Sequence, residues 1–188
     1  MAAEHVIVAY TPTDARDRLA GEFGPASDWI PQRGCDLGER MDDVISESVR
    51  KGCGPVVIIG TDSPTFPSEC IAQSFELLKT EADVVLGPTE DGGYYLIGAG
   101  SHFTGLFAEV PWSTRIAGAK TIGNAKALGL TVRTIGSWYD VDEPADLLRL
   151  DREVRSDPGA ARRIAPCTRD WLYLNREFTR SIVQDRRG

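Results

Sequence analysis

The stretch VVIIGTDSP, residues 56–64, indicates the fold class of this chain. Its four consecutive β-branched residues, Val56–Ile59, are typical of a strand buried on both faces, as in a parallel sheet. Gly60 then permits a sharp turn, and polar residues follow it. In open α/β sheets, ligands bind beyond the carboxyl ends of the strands. We therefore expect Asp62 at the functional rim of a sheet, where its carboxylate either holds a hard cation or caps a helix.

Length and composition predict one globular domain with a sizeable core. The chain has 188 residues, of which 41% are hydrophobic and 26% are charged, as is ordinary for soluble proteins. No apolar run approaches the roughly 18 residues of a membrane span. The first ten residues lack the basic start of a signal peptide. We therefore expect a cytoplasmic protein without a membrane span.

Cysteine usage and charge exclude two classes of function. The four cysteines form no Cys-x-x-Cys pair and there are only two histidines, so we expect free thiols and no zinc site. The net charge of −7 is unevenly spread, because from Arg149 onward ten arginines face six acids, which leaves −11 on the first 148 residues. Such an acidic body excludes nucleic acid as a partner. A phosphate-bearing ligand would need a metal ion or a few placed cations.

Strand-like and helix-like patterns alternate along the chain. Apolar runs predict strands at 6–10, 29–30, 56–59, 83–87, 94–98, 131–135 and 139–141. Spacing of 3.6 residues predicts helices at 14–23, 36–50, 68–79, 114–128 and 144–155. This alternation predicts a three-layer α/β/α fold with a mostly parallel central sheet.

A further helix is predicted near the end of the chain, at residues 170–183. Its inward face is expected to be formed by residues spaced 3, 4 and 4 apart, namely Trp171, Leu174, Phe178 and Ile182. We therefore divide the chain into a main domain, residues 1–155, and a C-terminal helical extension, residues 156–188, packed on it.

Four turn-rich stretches carry polar groups beside predicted strands. They are PQRG (31–34), GTDSP (60–64), GPTEDGGYYLIG (87–98) and WYDVDEP (138–144). Each has an ordinary alternative: Gly92–Gly93 suits a hairpin turn, and Asp142 suits an N-cap. Convergence of Asp62 with Asp140 and Asp142 at one rim would instead make an oxygen-ligand site for Mg²⁺ or Mn²⁺.

Five motifs in one order resemble a known family. PQRGCDLGERM, VVIIGTDSP, VVLGPTEDGGYYLIG, VPWST and YDVDEPADL are similar to those of the DUF2064 family of glycosyltransferase-like proteins, also called radical-SAM/selenodomain-associated transferase 1. That family belongs to the nucleotide-diphospho-sugar transferase (GT-A) superfamily, with molybdenum-cofactor and 2-phospholactate guanylyltransferases as distant relatives. The resemblance covers roughly residues 6–150 and implies a GT-A-like fold.

The resemblance also implies roles for particular residues. The two metal-binding acids correspond to Asp62 and Asp142. The nucleotide side, which includes the loop that borders the nucleobase, corresponds to Gln32, Gly34, Leu37 and Thr61. The acceptor-side loop corresponds to Glu90, Asp91 and Gly92, with Asp91 as a base or an acceptor clamp.

The chain departs from the family pattern at its start. Members usually open with a βα unit whose loop wraps the nucleotide phosphates and whose strand is central in the sheet. Only residues 1–5 precede the strand predicted at 6–10. Either the gene product is shortened, or residues 6–10 take the place of the missing strand. We expect a fold without the usual first βα unit, and weak, strictly metal-dependent nucleotide binding.

Three functions fit these features. The first is a metal-dependent glycosyltransferase that uses a nucleotide-diphospho-sugar donor and an unidentified small-molecule acceptor. The second is a nucleotidyltransferase of the guanylyltransferase type, in which attack occurs at the α-phosphate. The third is a non-catalytic remnant of the fold that binds a partner or a metabolite. The carboxylates favour the first two functions, and the missing phosphate loop favours the third.

Overall fold

The computed structural model describes residues 5–23 and 28–179. In chain order the elements are β1 (Ile7–Tyr10), α1 (Arg16–Phe23), β2 (Asp28–Pro31), α2 (Leu37–Arg50), β3 (Val56–Ile59), α3 (Glu69–Thr80), β4 (Val84–Pro88), β5 (Tyr94–Ala99), α4 (Ala117–Ala127), β6 (Val132–Thr134), α5 (Pro144–Ser156), α6 (Pro158–Ile164) and α7 (Pro166–Leu174). Within these two ranges, no helix is both long and apolar enough to cross a membrane.

The strands form two sheets. A four-stranded sheet has the order β3-β5-β4-β6, and β1 pairs with β2 in a separate parallel pair. Strand β5 runs antiparallel to β4, to which a short hairpin loop joins it, and also antiparallel to β3. Strands β4 and β6 are parallel. The predicted α/β architecture is confirmed, and its sheets contain parallel and antiparallel pairs.

Helices cover both faces of the four-stranded sheet. On one face, Met41 and Ile45 of α2 and Ala125 of α4 share a core with Val84 and Ile97. On the other face, Leu78 of α3 packs with the alternate sheet residues, which include Val85 and Leu96. Successive residues of a strand point to opposite faces, so this alternation produces the predicted three layers.

Strand β3 is not the buried central strand that its apolar sequence predicts. Among the described residues it pairs on one side only, with β5, and Ile59 is 40% exposed. The strands buried on both faces are β4 and β5, where Val85 and Leu96 are fully enclosed. An uninterrupted apolar run therefore marks an edge strand here, because the helices on both faces still contact it.

The first strand does not pair with β3. Strand β1 pairs only with β2 among the described residues, with Ile7 opposite Asp28 and Tyr10 opposite Pro31. The β1–β2 pair is tied to α2 by an ion pair between Lys51 and Asp28, whose charged atoms are 3.0 Å apart. The alternative in which residues 6–10 take the place of the missing central strand is therefore wrong.

The C-terminal helices pack on α5 through a small core of their own. Leu150 and Val154 of α5 meet Ala161 of α6 and Leu172 of α7 in this core. The guanidinium of Arg155 also donates to the carbonyl oxygen of Leu172 across 3.3 Å.

The predicted inward face of the last helix is wrong. Trp171, Leu174 and Phe178 are 45%, 85% and 55% exposed, whereas Leu172 is fully buried. Helix α7 ends at Leu174, and Asn175 forms a turn after it, so the helix is interrupted inside the predicted stretch. The apolar residues predicted across 170–183 therefore do not share one face of a single helix. The predicted position of Ile182 lies outside the described residues.

Candidate functional site

Three loops meet at one end of the four-stranded sheet. They follow β3 (residues 60–64), join β4 to β5 (residues 89–93), and follow β6 (residues 135–142). The main chain of Trp138 accepts from the Glu90 N–H across 3.1 Å and donates to the Pro88 carbonyl across 3.1 Å. No strand forms at the predicted residues 139–141. An isolated bridge between Thr89 and Trp138, one residue earlier, aligns the third loop with the second.

A backbone hydrogen bond joins the first loop to the third. The N–H of Val141 donates to the carbonyl oxygen of Asp62 across 2.9 Å. Asp140 and Asp142 flank Val141, so this bond brings both of them beside Asp62. Asp62 and Asp142 are exposed, and Asp140 is half-buried. The structure therefore brings together the carboxylates that the sequence predicts at one rim.

Electrostatics show that a fourth carboxylate belongs to the same group. Burial, followed by the negative charges of Asp91, Asp142 and Asp62, raises the pKa of Asp140. Burial, followed by the charges of Asp62 and Asp91, raises the pKa of Asp142. Like charges at close range disfavour one another's ionised forms, so Asp91 lies near enough to Asp140 and Asp142 for their charges to interact.

Asp91 is held by bonds within its own loop. Its carboxylate accepts hydrogen bonds from the Thr89 hydroxyl and from the Gly93 N–H. These two bonds, the first being the larger cause, lower the pKa of Asp91 despite its partial burial. A carboxylate fixed in this way stays ionised and is a weak base, which favours the role of an acceptor clamp over that of a general base.

Gly92 makes the close packing of this loop possible. Its φ of 98° lies in a region that favours glycine. A Cβ at this position would lie 2.0 Å from the carbonyl oxygen of Arg115, and the Gly118 N–H donates to the Gly92 carbonyl across 3.0 Å. The hairpin turn and the start of α4 are thus fitted to each other, and the turn is structural whatever else the loop does.

Glu90 is bound by an arginine that sequence reasoning missed. Arg149 of α5 donates to both carboxylate oxygens of Glu90, across 2.7 and 2.9 Å. This bond lowers the pKa of Glu90 and raises that of Arg149. The position of Arg149 on a helix that begins just after the YDVDEP motif is the only sequence signal that could have pointed to it.

Three of the predicted nucleotide-side residues, Gln32, Gly34 and Leu37, lie between the end of β2 and the start of α2, outside the three loops that carry the carboxylates, whereas Thr61 directly precedes Asp62. Gln32 follows β2, and its side-chain amide donates to the carbonyl of Ala9 in β1 across 3.1 Å. Gly34 has a φ of 133°, and Leu37, the first residue of α2, is 49% exposed. Thr61 is exposed beside Asp62. Within the described ranges, no hydrogen bond or ion pair links Gln32, Gly34 or Leu37 to the carboxylates.

The rim carboxylates suit a metal ion whose coordination is completed by a bound ligand, and they do not suit a metal ion held by protein groups alone. Within the described residues, no three His, Cys, Asp or Glu side chains are arranged to hold a metal ion by themselves. Two adjacent exposed carboxylates, Asp62 and Asp142, suit Mg²⁺ or Mn²⁺ when phosphate oxygens and water complete the coordination. The residues therefore fit an ion that arrives with a phosphorylated ligand and do not fit an all-protein cage.

Comparison with known proteins agrees with this fold. A crystal structure from Desulfovibrio desulfuricans G20, described as a "putative nucleotide-diphospho-sugar transferase", superposes with a TM-score of 0.81 at 29% sequence identity. The match covers 95% of this chain and 76% of that one. No curated protein matches.

The family match covers most of the main domain. The family described as "Uncharacterized protein conserved in bacteria (DUF2064)" matches residues 1–114, more than half of the chain. These residues include Asp62, Asp91 and the predicted nucleotide-side positions. The family resemblance inferred from the five motifs is confirmed, and the chain belongs to the DUF2064 family.

Proposed function

We propose that this protein is a metal-dependent glycosyltransferase that uses a nucleotide-diphospho-sugar donor and a small-molecule acceptor. The observation that carries the proposal is the hydrogen bond from the Val141 N–H to the Asp62 carbonyl, which joins the backbone of Asp62 to the residue before Asp142. The structural neighbour's description as a nucleotide-diphospho-sugar transferase supports the donor class.

Asp62 and Asp142 would hold a divalent cation, Mg²⁺ or Mn²⁺. Bound there, the cation supplies Lewis-acid stabilisation of the negative charge that develops on a diphosphate leaving group. The carboxylates supply hard oxygen ligands and leave the remaining positions to phosphate and water. Burial and, next, the negative charge of Asp62 raise the pKa of Asp142, and a bound cation would offset that negative charge.

The hairpin loop would hold the acceptor. The Asp91 carboxylate, ionised and fixed by Thr89 and Gly93, can accept a hydrogen bond from an acceptor hydroxyl and orient its oxygen. In the transfer, the acceptor oxygen bonds to the anomeric carbon as the bond from that carbon to the diphosphate oxygen breaks. The diphosphate leaves with the bonding electron pair, and the proton of the acceptor hydroxyl passes to solvent water. The nucleobase would lie against the exposed side chain of Leu37, beside the turn formed by Gln32 and Gly34.

Titration calorimetry tests the donor class. We expect UDP or GDP and their sugars to bind in the presence of Mn²⁺ with Kd nearer ~1 mM than ~1 μM, about −4 rather than −8 kcal/mol, because the rim is acidic and few cations face it. Chelation with EDTA should abolish the binding. Micromolar affinity or binding without metal would contradict this account of the site.

The products of a reaction distinguish the alternatives. Incubation with a nucleotide-diphospho-sugar and Mn²⁺ should release the nucleoside diphosphate, either by transfer or by slow hydrolysis. Release of pyrophosphate from a nucleoside triphosphate would favour the nucleotidyltransferase. A folded protein that binds none of these compounds, with or without Mn²⁺, would favour the non-catalytic alternative.

A further inference from the structure

Arg149 makes an ion pair of unusual geometry for the surface of a protein. Its two terminal nitrogens bond to the two carboxylate oxygens of Glu90, which lies 59 residues earlier in the chain. The two side chains are 43% and 57% exposed. A single exposed ion pair contributes little to stability, but a bidentate pair between a guanidinium and a carboxylate is both stronger and more specific in direction.

The guanidinium also rests on a fixed aromatic surface. Its central carbon lies 3.8 Å from the centre of the Tyr139 ring. Tyr139 is 4% exposed, and its hydroxyl donates to the carboxylate of Glu153, one turn after Arg149 on α5. The Thr65 hydroxyl lies 3.5 Å from the Tyr139 hydroxyl. Tyr139 therefore restricts the orientations of Arg149, and α5 supplies both the arginine and the anchor of its stacking partner.

The position of this pair matters because of the charges around it. Glu90 directly precedes Asp91, and Asp140 directly follows Tyr139. Loop 89–93 therefore brings the Asp91 carboxylate up to a segment that carries Asp140 and Asp142, and these three negative charges repel one another. Arg149 is bonded to Glu90 in loop 89–93 and is stacked on Tyr139, the residue before Asp140.

We propose that Arg149 is a positioning residue that holds the Glu90–Asp91 end of the hairpin loop against the Asp140–Asp142 segment. It thereby sets the separation of Asp91 from Asp142. The importance of this separation for orienting an acceptor rests on the proposed function. The tethering of the loop does not, and it can be measured on the free protein.

Amide hydrogen exchange tests the tether without any ligand. The reporters are the N–H groups of Glu90, which donates to Trp138, and Gly92, which donates to Thr89. Replacing Arg149 by alanine (Arg149→Ala) should speed exchange at both amides by about fivefold or more, while amides in the buried strand β5 keep their rates. Glu90→Gln should have the same effect, and the double variant should add little to either single change.

Two further variants make the result specific. Arg152→Ala is the matched control, since Arg152 is exposed on the same helix and its guanidinium bonds only to the Leu148 carbonyl among the described residues. Arg149→Lys keeps the charge but loses the bidentate bond, and should restore only part of the protection. Equal exchange in wild type and Arg149→Ala would overturn the proposal, as would a uniform rise that includes β5 or an equal effect of Arg152→Ala. If Arg149→Ala does not fold, Arg149→Lys and Glu90→Gln decide the question by the same amides.

Nucleotide titration separates this proposal from the proposed function. Selective loosening of the loop in a protein that binds no nucleotide would retain the positioning role and remove the transferase. Unchanged exchange in a protein that binds Mn²⁺ and nucleotide would overturn the positioning role of Arg149 and leave the proposed transferase function standing.

Discussion

The main-chain N–H of Val141 donates to the carbonyl oxygen of Asp62 across 2.9 Å. The bond joins segments almost eighty residues apart. It fixes the backbone of Asp62 and of Val141, the residue before Asp142, and Asp62 and Asp142 are the two predicted metal ligands. Since each partner is a main-chain group, the carboxylates of Asp62 and Asp142 remain available to a ligand. Substitution of either side chain should therefore change binding without breaking the link between the loops.

Neutral variants of the two rim acids should lose metal affinity. Asp62→Asn and Asp142→Asn each remove one of two carboxylate ligands, so we expect Mn²⁺ to bind at least about tenfold more weakly, a loss of roughly 1.4 kcal/mol. Isothermal titration calorimetry measures the affinity, and circular dichroism checks the fold. Glu22→Gln, which removes one exposed charge from α1, is the control. Equal Mn²⁺ affinity in wild type and both variants would place the ion elsewhere.

The bond from Thr89 to Asp91 should make stability depend on pH. The folded state lowers the pKa of Asp91 below 3.8, so this contribution is fully present above pH 3.8 and is lost as the pH falls through the folded-state value. Thr89→Val should cost about 1 kcal/mol in the free energy of unfolding at pH 7. The difference from wild type should shrink as the pH falls below 3.8.

Urea denaturation from pH 7 down to pH 3 measures this difference. Thr80→Val removes a hydroxyl that donates to the Glu76 carbonyl and not to a carboxylate, so its effect should not change with pH. A constant difference between Thr89→Val and wild type over the whole range would show that the hydrogen bond does not favour the ionised form of Asp91.

A side chain at Gly92 should be poorly tolerated. Gly92→Ala combines a positive φ with a contact of 2.0 Å against backbone, and we expect a loss of about 2 kcal/mol or more in the free energy of unfolding. Gly123→Ala is the matched control, because Gly123 lies in the interior of α4 with open space around its Cα and should gain about 0.5–1 kcal/mol. Thermal unfolding of both variants checks the pair, and similar shifts in Tm would contradict the packing between the hairpin and α4.

Two leucines near the end of α7 should respond in opposite ways. Leu172 is fully buried and Leu174 is 85% exposed. Leu172→Ala should cost about 2–5 kcal/mol, and Leu174→Ala should stay within about 0.5 kcal/mol of wild type. Chemical denaturation of the two variants decides which face of α7 packs on α5. The reverse order of effects would support the face that the apolar spacing predicts.

The sequence predicted best the features that depend on local pattern. Helix α2 illustrates this, because the apolar spacing predicts a helix at 36–50 and the structure has one at Leu37–Arg50, with Met41, Val44 and Ile45 buried. Local bonds at its start support this helix, since the Asp36 carboxylate accepts from the Glu39 N–H and the Glu39 carboxylate accepts from the Cys35 N–H.

Features that depend on which strands become neighbours could not be predicted in this way. Val56–Ile59 is equally apolar in the middle or at the edge of a sheet, so composition alone does not give its position. Arg149 looks like any surface arginine until the fold brings Glu90 to it. The rim carboxylates were found because their motifs follow strands. Arg149, whose guanidinium bonds to Glu90, was missed because it lies inside a helix.

The edge position of β3 has a consequence for how the protein behaves in solution. In an antiparallel pair, alternate residues direct their N–H and C=O groups away from the partner. Strand β3 pairs only with β5 within residues 5–23 and 28–179, so in this part of the chain half of its backbone groups lie on the side opposite β5. An apolar edge of this kind is a template for strand addition by another molecule, and natural sheets usually protect such edges with charge, proline or a bulge. Val56–Ile59 has none of these within it. At high protein concentration this edge is where aggregation should begin, and a lysine in place of Ile59 is the change that should suppress it.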